Sequence, residues 1–321
     1  MNKGQFIISL DFELIWGLAG WSTEKIDTYN KNISNATIAL EKIIELFHKY
    51  DIKCTIAFVG AMNYRSLNEL VTKLKKYKKP TYKKSIFYSF ESLLPYIQQN
   101  RYPISNYFCK DIIENLKKNS KVELASHTFS HYYCLEEGQT AEDFKQDVSF
   151  AVMEAKKNDI TIKSIIFPRN QVSQEYIDIC KQLGITHYRG TLNNYLYQAN
   201  KTESRYSIKG ALRFLDTYFN LSGYNTYCND YQRDGIHDVP GSRFLRPYSN
   251  SLSFLEYFKI RRIKRSMEYA AKNNEIYHLW WHPHNFGINM NENIANLELI
   301  CKHYKYLNNK YNFISTFISE I

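Results

Sequence analysis

Seven short apolar runs, most of them followed by a segment of helical periodicity, set the tightest limit on what this chain can form. They lie at 5–10, 54–59, 121–125, 162–167, 185–188, 276–281 and 313–317. Between them the spacing predicts helices at about 34–50, with Ile38, Ile43, Ile44 and Phe47 as a buried stripe, and at 140–158, 174–183, 252–272 and 294–307. Thr140 reads as an N-cap and Gly184 as a stop. A strand that returns through a helix lies parallel to its predecessor, so this rhythm calls for a parallel α/β barrel or a doubly wound sheet. The stretch 190–250, rich in Asn, Tyr, Gly and Ser, breaks the rhythm and reads as a long insertion or arm. No repeat or low-complexity linker divides the rest, so residues 1–321 are expected to form one domain.

Composition agrees. A chain of 321 residues, 44% hydrophobic and 23% charged, can bury a sizeable core and is expected to be a globular protein. The apolar run before Asp11 is too short for a signal-peptide core or a bilayer span. Cys54, Cys109, Cys134, Cys180, Cys228 and Cys301 are scattered without a Cys-x-x-Cys spacing, which suits reduced thiols and a cytoplasmic location. The balance of 42 Lys+Arg against 32 Asp+Glu gives +10. Two clusters carry much of it, one in 73–84 and one at Arg261, Arg262, Lys264 and Arg265, and both read as solvated faces. No nucleic-acid motif accompanies them, so no nucleic-acid partner is expected, while contact with an anionic membrane surface stays compatible with the charge.

In parallel α/β architectures chemistry gathers where strands end. Four strand ends here carry polar residues: Asp11 and Glu13 after the first run, His127 and His131 after the third, Arg169 after the fourth, and His282 and His284 after the sixth. Asp11 and Glu13, separated by Phe12, point to one side of an extended chain. His127 and His131, at i and i+4, share one side of a helical turn and can grip one metal ion. Two imidazoles with a carboxylate make a hydrolytic metal site, and a second carboxylate can stay free as a base. Asp11 alone could equally cap the turn after its strand. His278 reads as a satisfied core histidine, Trp280 and Trp281 as core or sugar platform, and Tyr188, Arg189, Arg243, Phe244 and Arg246 as a sugar-binding wall or as arm packing.

The ordered set Ser-Leu-Asp-Phe-Glu, Ser-His-Thr-Phe-Ser-His, Phe-Pro-Arg-Asn and Trp-Trp-His-Pro-His resembles the motifs of the polysaccharide deacetylase (NodB-homology) family, carbohydrate esterase family 4. The resemblance spans Asp11 to His284 and implies a distorted, incomplete β/α barrel with about seven parallel strands, a divalent metal, zinc first, and hydrolysis of an N-acetyl group on a sugar. It implies Glu13, His127 and His131 as metal ligands, Asp11 as general base, His282 as general acid and Arg169 as the group that orients the base. Trp281, His284, Tyr188 and Arg246 become the substrate-binding candidates, with His284 competing with His282 as the acid. Two departures stand out: the first motif is Asp-x-Glu rather than paired aspartates, and Pro168 precedes Arg169 rather than following it. The oxyanion donor is then sought among backbone N–H groups near Asn170 and Gln171. The expected partner is an N-acylated sugar or glycan intermediate of surface-polysaccharide biosynthesis; the alternative is a glycan-binding protein that has kept the barrel and lost the activity.

Overall fold

The computed structural model describes residues 3–192, 194, 196–197, 208–228, 232–233 and 235–321. Its centre is a strongly curled sheet. The strands are β1 (Gln5–Phe12), β2 (Cys54–Phe58), β3 (Val122–Ser126), β4 (Ser164–Ile166), β5 (His187–Arg189), β6 (Gln232–Arg233), β7 (Ile236–Asp238), β8 (Arg243–Phe244), β9 (Ile276–Trp281) and β10 (Ile314–Thr316). Eight of them run parallel in the order β7, β5, β4, β3, β2, β1, β9, β8, with β6 antiparallel beside β7 and β10 parallel to the first half of β1. This is a distorted, incomplete β/α barrel, as the resemblance implied. All seven expected strands are present.

Alternation along the strands sorts the core into two layers. On β1, Phe6, Ile8, Leu10 and Phe12 face the helices and join the large outer cluster. Ile7, with Ala57 of β2, Ala125 of β3, Ile166 of β4 and Ile276 of β9, belongs to a smaller cluster inside the curl. The same parity carries Ser9, Asp11 and then Glu13 inward, above that apolar floor. Burial of Asp11 and Glu13 in a folded domain therefore needs partners within the barrel.

The stretch 190–250 departs from the expectation of an irregular arm. Parts of it lie outside the described residues, but 236–244 belongs to the sheet: β7 pairs with β5 through His187 and His237, and β8 pairs with β9 through Arg243 and Leu279. Backbone bonds from Val239 N to Tyr188 O (2.9 Å) and from Ser242 N to His278 O (2.8 Å) carry the crossing from one edge to the other. The two strands follow each other with no helix between them, so strand-helix alternation could not reveal them. A helix, α8, also occupies Ile208–Asp216.

The outer layer is formed by α1 (Thr23–Ser34), α2 (Ala36–Tyr50), α3 (Leu67–Leu74), α4 (Ser89–Gln98), α5 (Lys110–Lys117), α6 (Ala141–Lys157), α7 (Gln174–Gln182), α9 (Glu256–Asn273) and α10 (Met290–Tyr311). Thr140 caps α6 in a reciprocal box with Asp143. On α2, Ile43 and Phe47 of the expected stripe are buried and Ile44 is half-buried against the core, while Ile38 is exposed and Ala39 and Leu40 are buried in its place. No helix among the described residues is long and apolar enough to cross a membrane.

Candidate active site

At the C-terminal ends of β1, β3 and β9 the inward parity brings five titratable side chains together. Glu13 follows β1, and its Oε2 lies 2.9 Å from His131 Nε2 and 3.3 Å from His127 Nε2. One ligand atom from each of these three buried residues lies within 4.8 Å of the others, a spacing that can hold a metal ion. The histidine pair does not ride on a helical turn as its spacing suggested. It sits on a loop in which Thr128 and His131 have left-handed backbone (φ 64° and 58°), and the two rings are still 5.0 Å apart.

Several groups fix that loop. Asp147, fully buried on α6, accepts hydrogen bonds from Phe129 N (2.7 Å), Ser130 N (3.1 Å), the Ser130 hydroxyl and Tyr77 (2.6 Å). The Thr128 hydroxyl accepts from Tyr132 N at 2.7 Å. From the end of β2, Gly60 N and Ala61 N donate to the carbonyls of Thr128 and Phe129. Gly17 leaves room for Glu13: a Cβ there would lie 2.1 Å from Glu13 Oε1, so only glycine leaves the carboxylate where it is. Leu14, beside Glu13, has φ 47°, a strained value for a leucine of the kind that collects at functional sites.

The donor chemistry of the trio tests whether a cation fits. A carbonyl can only accept, so the 2.9 Å contact between His127 Nδ1 and Ile166 O makes Nδ1 the donor and leaves Nε2, in the neutral ring, as a lone pair aimed at Glu13. His131 Nε2 meets the same oxygen. Burial pushes His131 down to about 4, partly opposed by the charge of Glu13, so its ring is neutral at pH 7. Burial works to raise the Glu13 carboxyl, but the imidazoles of His282 and His131 outweigh it and hold Glu13 well below the usual carboxylate range. Two imidazole Nε2 edges and a carboxylate converging in a buried space fit a divalent ion.

Asp11 has a different partner from the one expected. Arg189 at the end of β5, itself buried, grips it with two parallel bonds, Nη1 to Oδ1 at 2.6 Å and Nη2 to Oδ2 at 2.7 Å. The same guanidinium donates to Ser9 Oγ (3.1 Å) and Asn170 Oδ1 (2.9 Å) and lies 4.2 Å from the Trp280 ring centre. Ser9 meets His278 Nε2 at 2.7 Å, which confirms His278 as a satisfied core histidine. Burial tends to raise the Asp11 carboxyl, and the Arg189 charge beside it wins and keeps it low.

Arg169 instead turns outward to Glu136 at 3.2 Å and stacks 4.0 Å above Tyr133. Its φ of 55° sets the turn that delivers Asn170 to Arg189. The N–H groups of Asn170 and Gln171 are spent on the carbonyls of Phe167 and Pro168, so neither is free to stabilise an oxyanion.

His282, partly exposed, places Nε2 3.7 Å from Asp11 Oδ2 and 3.6 Å from Glu13 Oε1. His284 is buried behind it, its ring 4.9 Å away, and burial together with the His282 charge drives it down to about 3. Two substrate-wall candidates lie on the wrong side of the sheet. Trp281 faces the helices and packs on Phe47 and Phe286, and Tyr188 packs on Phe167 in the same layer. Their strand parity is opposite to that of His282 and Arg189. Arg246 lies against Phe214 of α8, 5.3 Å from its ring centre, and Arg243 is buried against Asp216. Phe244 does border the site, its ring 5.9 Å from His282 and 4.9 Å from Trp280.

No protein-family profile matches this sequence, and no curated protein sequence matches it. Solved structures do. The fold is similar to that of a putative polysaccharide deacetylase from Mycobacterium smegmatis, with a TM-score of 0.51 at 9% identity over 94% of this chain and 85% of that one. It is similar to the Puue allantoinase, with a TM-score of 0.51 at 9% identity over 98% of this chain and 89% of that one. It also matches the 4-alpha-glucanotransferase from Thermococcus litoralis, with a TM-score of 0.51 at 12% identity over all of this chain, which spans 40% of that longer protein. One barrel thus serves proteins with different names, and the chemistry must be argued from the site.

Proposed function

We propose that this protein is a metal-dependent amide hydrolase that removes an N-acyl group, acetyl first, from a sugar or glycan intermediate of surface-polysaccharide biosynthesis. The observation that carries the reading is the donor set Glu13, His127 and His131 lying beside an ionised Asp11 and the half-open His282. Glycoside cleavage ordinarily needs two carboxylates free to flank a bond, one of them protonated. Here both are held ionised, one by a guanidinium and one by imidazoles. Fold likeness to a putative polysaccharide deacetylase supports the substrate class, as does the motif order along the chain.

Glu13, His127 and His131 would hold the ion, and the mixed nitrogen and oxygen set suits zinc. When bound, it supplies Lewis acidity for the amide carbonyl and makes water more acidic. Asp11 takes the proton of the attacking water, and Arg189 keeps that carboxylate ionised and oriented. His282 lies between the two carboxylates and donates a proton to the departing amine. His284, buried behind it and lowered to about 3, carries no proton to donate near neutral pH and acts as a support for the His282 ring. Unpaired cysteines, five of them buried, support a reducing, cytoplasmic location.

Purified protein loaded with zinc should release acetate or formate from at least one member of a panel of N-acylated amino sugars. Asp11→Asn and His282→Ala should keep the metal and lower turnover by roughly two to four orders of magnitude. Glu13→Gln should weaken metal binding first, with excess zinc restoring part of the rate. Retention of the sugar with no acid released by the loaded wild-type protein would favour a glycan-binding role. Loss of metal from Asp11→Asn but not from Glu13→Gln would exchange the two carboxylates.

A further inference from the structure

Exposed large hydrophobic side chains are not spread evenly over this molecule. Of the eighteen among the described residues, ten fall between 208 and 269, on α8, the segment after it, the turn that leads into α9, and the outer face of α9. Phe254 and Tyr257 are the most open aromatics among the described residues, 71% and 66% exposed. Ring contacts join part of it: Phe219 touches Phe258 (ring centres 5.9 Å apart), Phe258 touches Tyr257 (5.6 Å), and Tyr224 stacks on Tyr269 (4.4 Å), with Phe219, Tyr224 and Phe258 lining one cavity. A concentration of this kind on one face marks an interaction surface rather than ordinary exposure.

Its charge narrows the partner. Tyr257, Phe258, Arg261 and Arg265 recur at helical spacing on the open side of α9, and Arg261 lies over the Tyr257 ring at 5.9 Å. The neighbouring carboxylates are already committed, Glu256 to Lys259, Glu268 to Lys272, and the buried Asp216 to Arg262 and Arg243. Among the described residues, Arg261 and Arg265 have no carboxylate in ion-pair range. A cavity of about 170 Å³ opens between the aromatic rings and Arg261, Arg262 and Arg265. Rings that sit half in an apolar phase, beside guanidinium groups on long stems, match the boundary between lipid tails and anionic headgroups. A nucleic acid would reward the arginines and leave the exposed Phe254 and Phe219 without a role.

We propose that this face docks on an anionic lipid bilayer, with the arginines on lipid phosphates and the aromatic rings at headgroup depth. The geometry orients the barrel as it docks. α9 begins just beyond β8, whose Phe244 borders His282, so the open aromatic end of the patch lies at the end of the barrel that carries the site. This proposal does not depend on the reaction catalysed, and its test uses no activity.

Full-length protein should pellet with vesicles of equimolar phosphatidylcholine and phosphatidylglycerol, stay in the supernatant with phosphatidylcholine alone, and be released by salt. Each basic residue near a charged surface is worth roughly a factor of five in partitioning, so Arg261→Gln with Arg265→Gln should weaken binding by about thirty-fold. Tyr257→Ser with Phe258→Ser should weaken it while the thermal melt is unchanged, since these side chains are exposed. Amide exchange in residues 254–265 should slow only when anionic vesicles are present. Equal pelleting with both vesicle types, or anionic binding that survives both double variants, would overturn the proposal. So would a vesicle-free dimer that Phe258→Ser dissolves, because the patch would then belong to a second copy, or retention on a nucleic-acid matrix without vesicle binding.

Discussion

The inward side chains at the site are set in their states by their partners. Asp11 is the clearest case, because a buried carboxylate that lost Arg189 would be left with no opposing guanidinium. Arg189→Gln should therefore destabilise the protein by about 3–5 kcal/mol in urea titrations, the usual cost of breaking a buried ion pair. It should also shift the acid limb of the pH–rate profile upward, since the charge that keeps the Asp11 carboxyl low is gone. Arg169→Gln should leave that limb in place, and a shift there would return the orienting role to Arg169. Gly17 provides a second test. Adding a methyl group 2.1 Å from Glu13 Oε1 must displace the carboxylate, so Gly17→Ala should lower zinc affinity by at least about tenfold while zinc still binds through the two histidines. Competition with a chromogenic chelator would measure it. His127, His131 and the pair Asp11 and Glu13 were legible in the sequence because spacing and strand ends are written there, and the choice of Glu13 as the carboxylate beside the histidines came from the family resemblance. Arg189 was legible only by parity: it shares its face with inward residues, whereas Tyr188 beside it and Trp281 on β9 do not. Nothing local marks Gly17, whose role depends on a side chain four residues earlier in a turn that periodicity does not describe.

At the scale of elements, the strands that pair with returning helices could be read directly, and those without a helix could not. β7 and β8 are three and two residues of regular strand within one extended segment, and their apolar content is too small to stand out among Asn, Tyr and Gly. Their existence depends on pairing with β5 and β9, a tertiary fact. The histidine loop shows the same limit from another side. Spacing at i and i+4 predicted two rings on one face, and the rings do meet, but through left-handed turns at Thr128 and His131 fixed by a carboxylate on a distant helix. Asp147 is that carboxylate, and burial raises it above its ordinary value despite its four donors. Asp147→Ala would leave the N–H groups of Phe129 and Ser130 buried without an acceptor, at roughly 1–3 kcal/mol each. We expect a lower melting temperature together with a zinc affinity reduced by about ten- to a hundred-fold, the usual effect of removing a group that orients metal ligands. A lower melting temperature with unchanged zinc affinity would show that the remaining bonds, from Gly60 and Ala61 and at Thr128, are enough to hold the loop.

Across the whole molecule, the barrel interior is a polar chamber closed below by apolar side chains, and its histidines tie stability to pH. His278 and His284 are pushed down to about 3 by burial, with the charges of Arg189 and His282 respectively adding to it, and His131 to about 4. In the unfolded chain the same rings titrate near 6.5. Below about pH 6.5 the unfolded chain therefore binds protons that the folded chain refuses. The stability from these neutral histidines is fully present above that value and is lost as pH falls toward about 4. Each ring contributes up to about 1.4 kcal/mol per pH unit, so the three together give a slope of up to about 4 kcal/mol per unit in that window. Asp11 and Glu13 act lower, since their depressed folded values add stability that disappears only as pH falls below about 4. Urea titrations of metal-free protein in chelator, from pH 8 to pH 5, should show a plateau and then a steep fall beginning near 6.5. His278→Gln can still accept from Ser9 and donate to Val239 O, the contact that His278 Nδ1 makes at 3.3 Å. It should lower that slope by about a third while leaving stability at pH 8 nearly unchanged. A flat profile from pH 7 to pH 5 would mean that these rings take up protons in the folded state, and that the chamber is open to water rather than sealed around them.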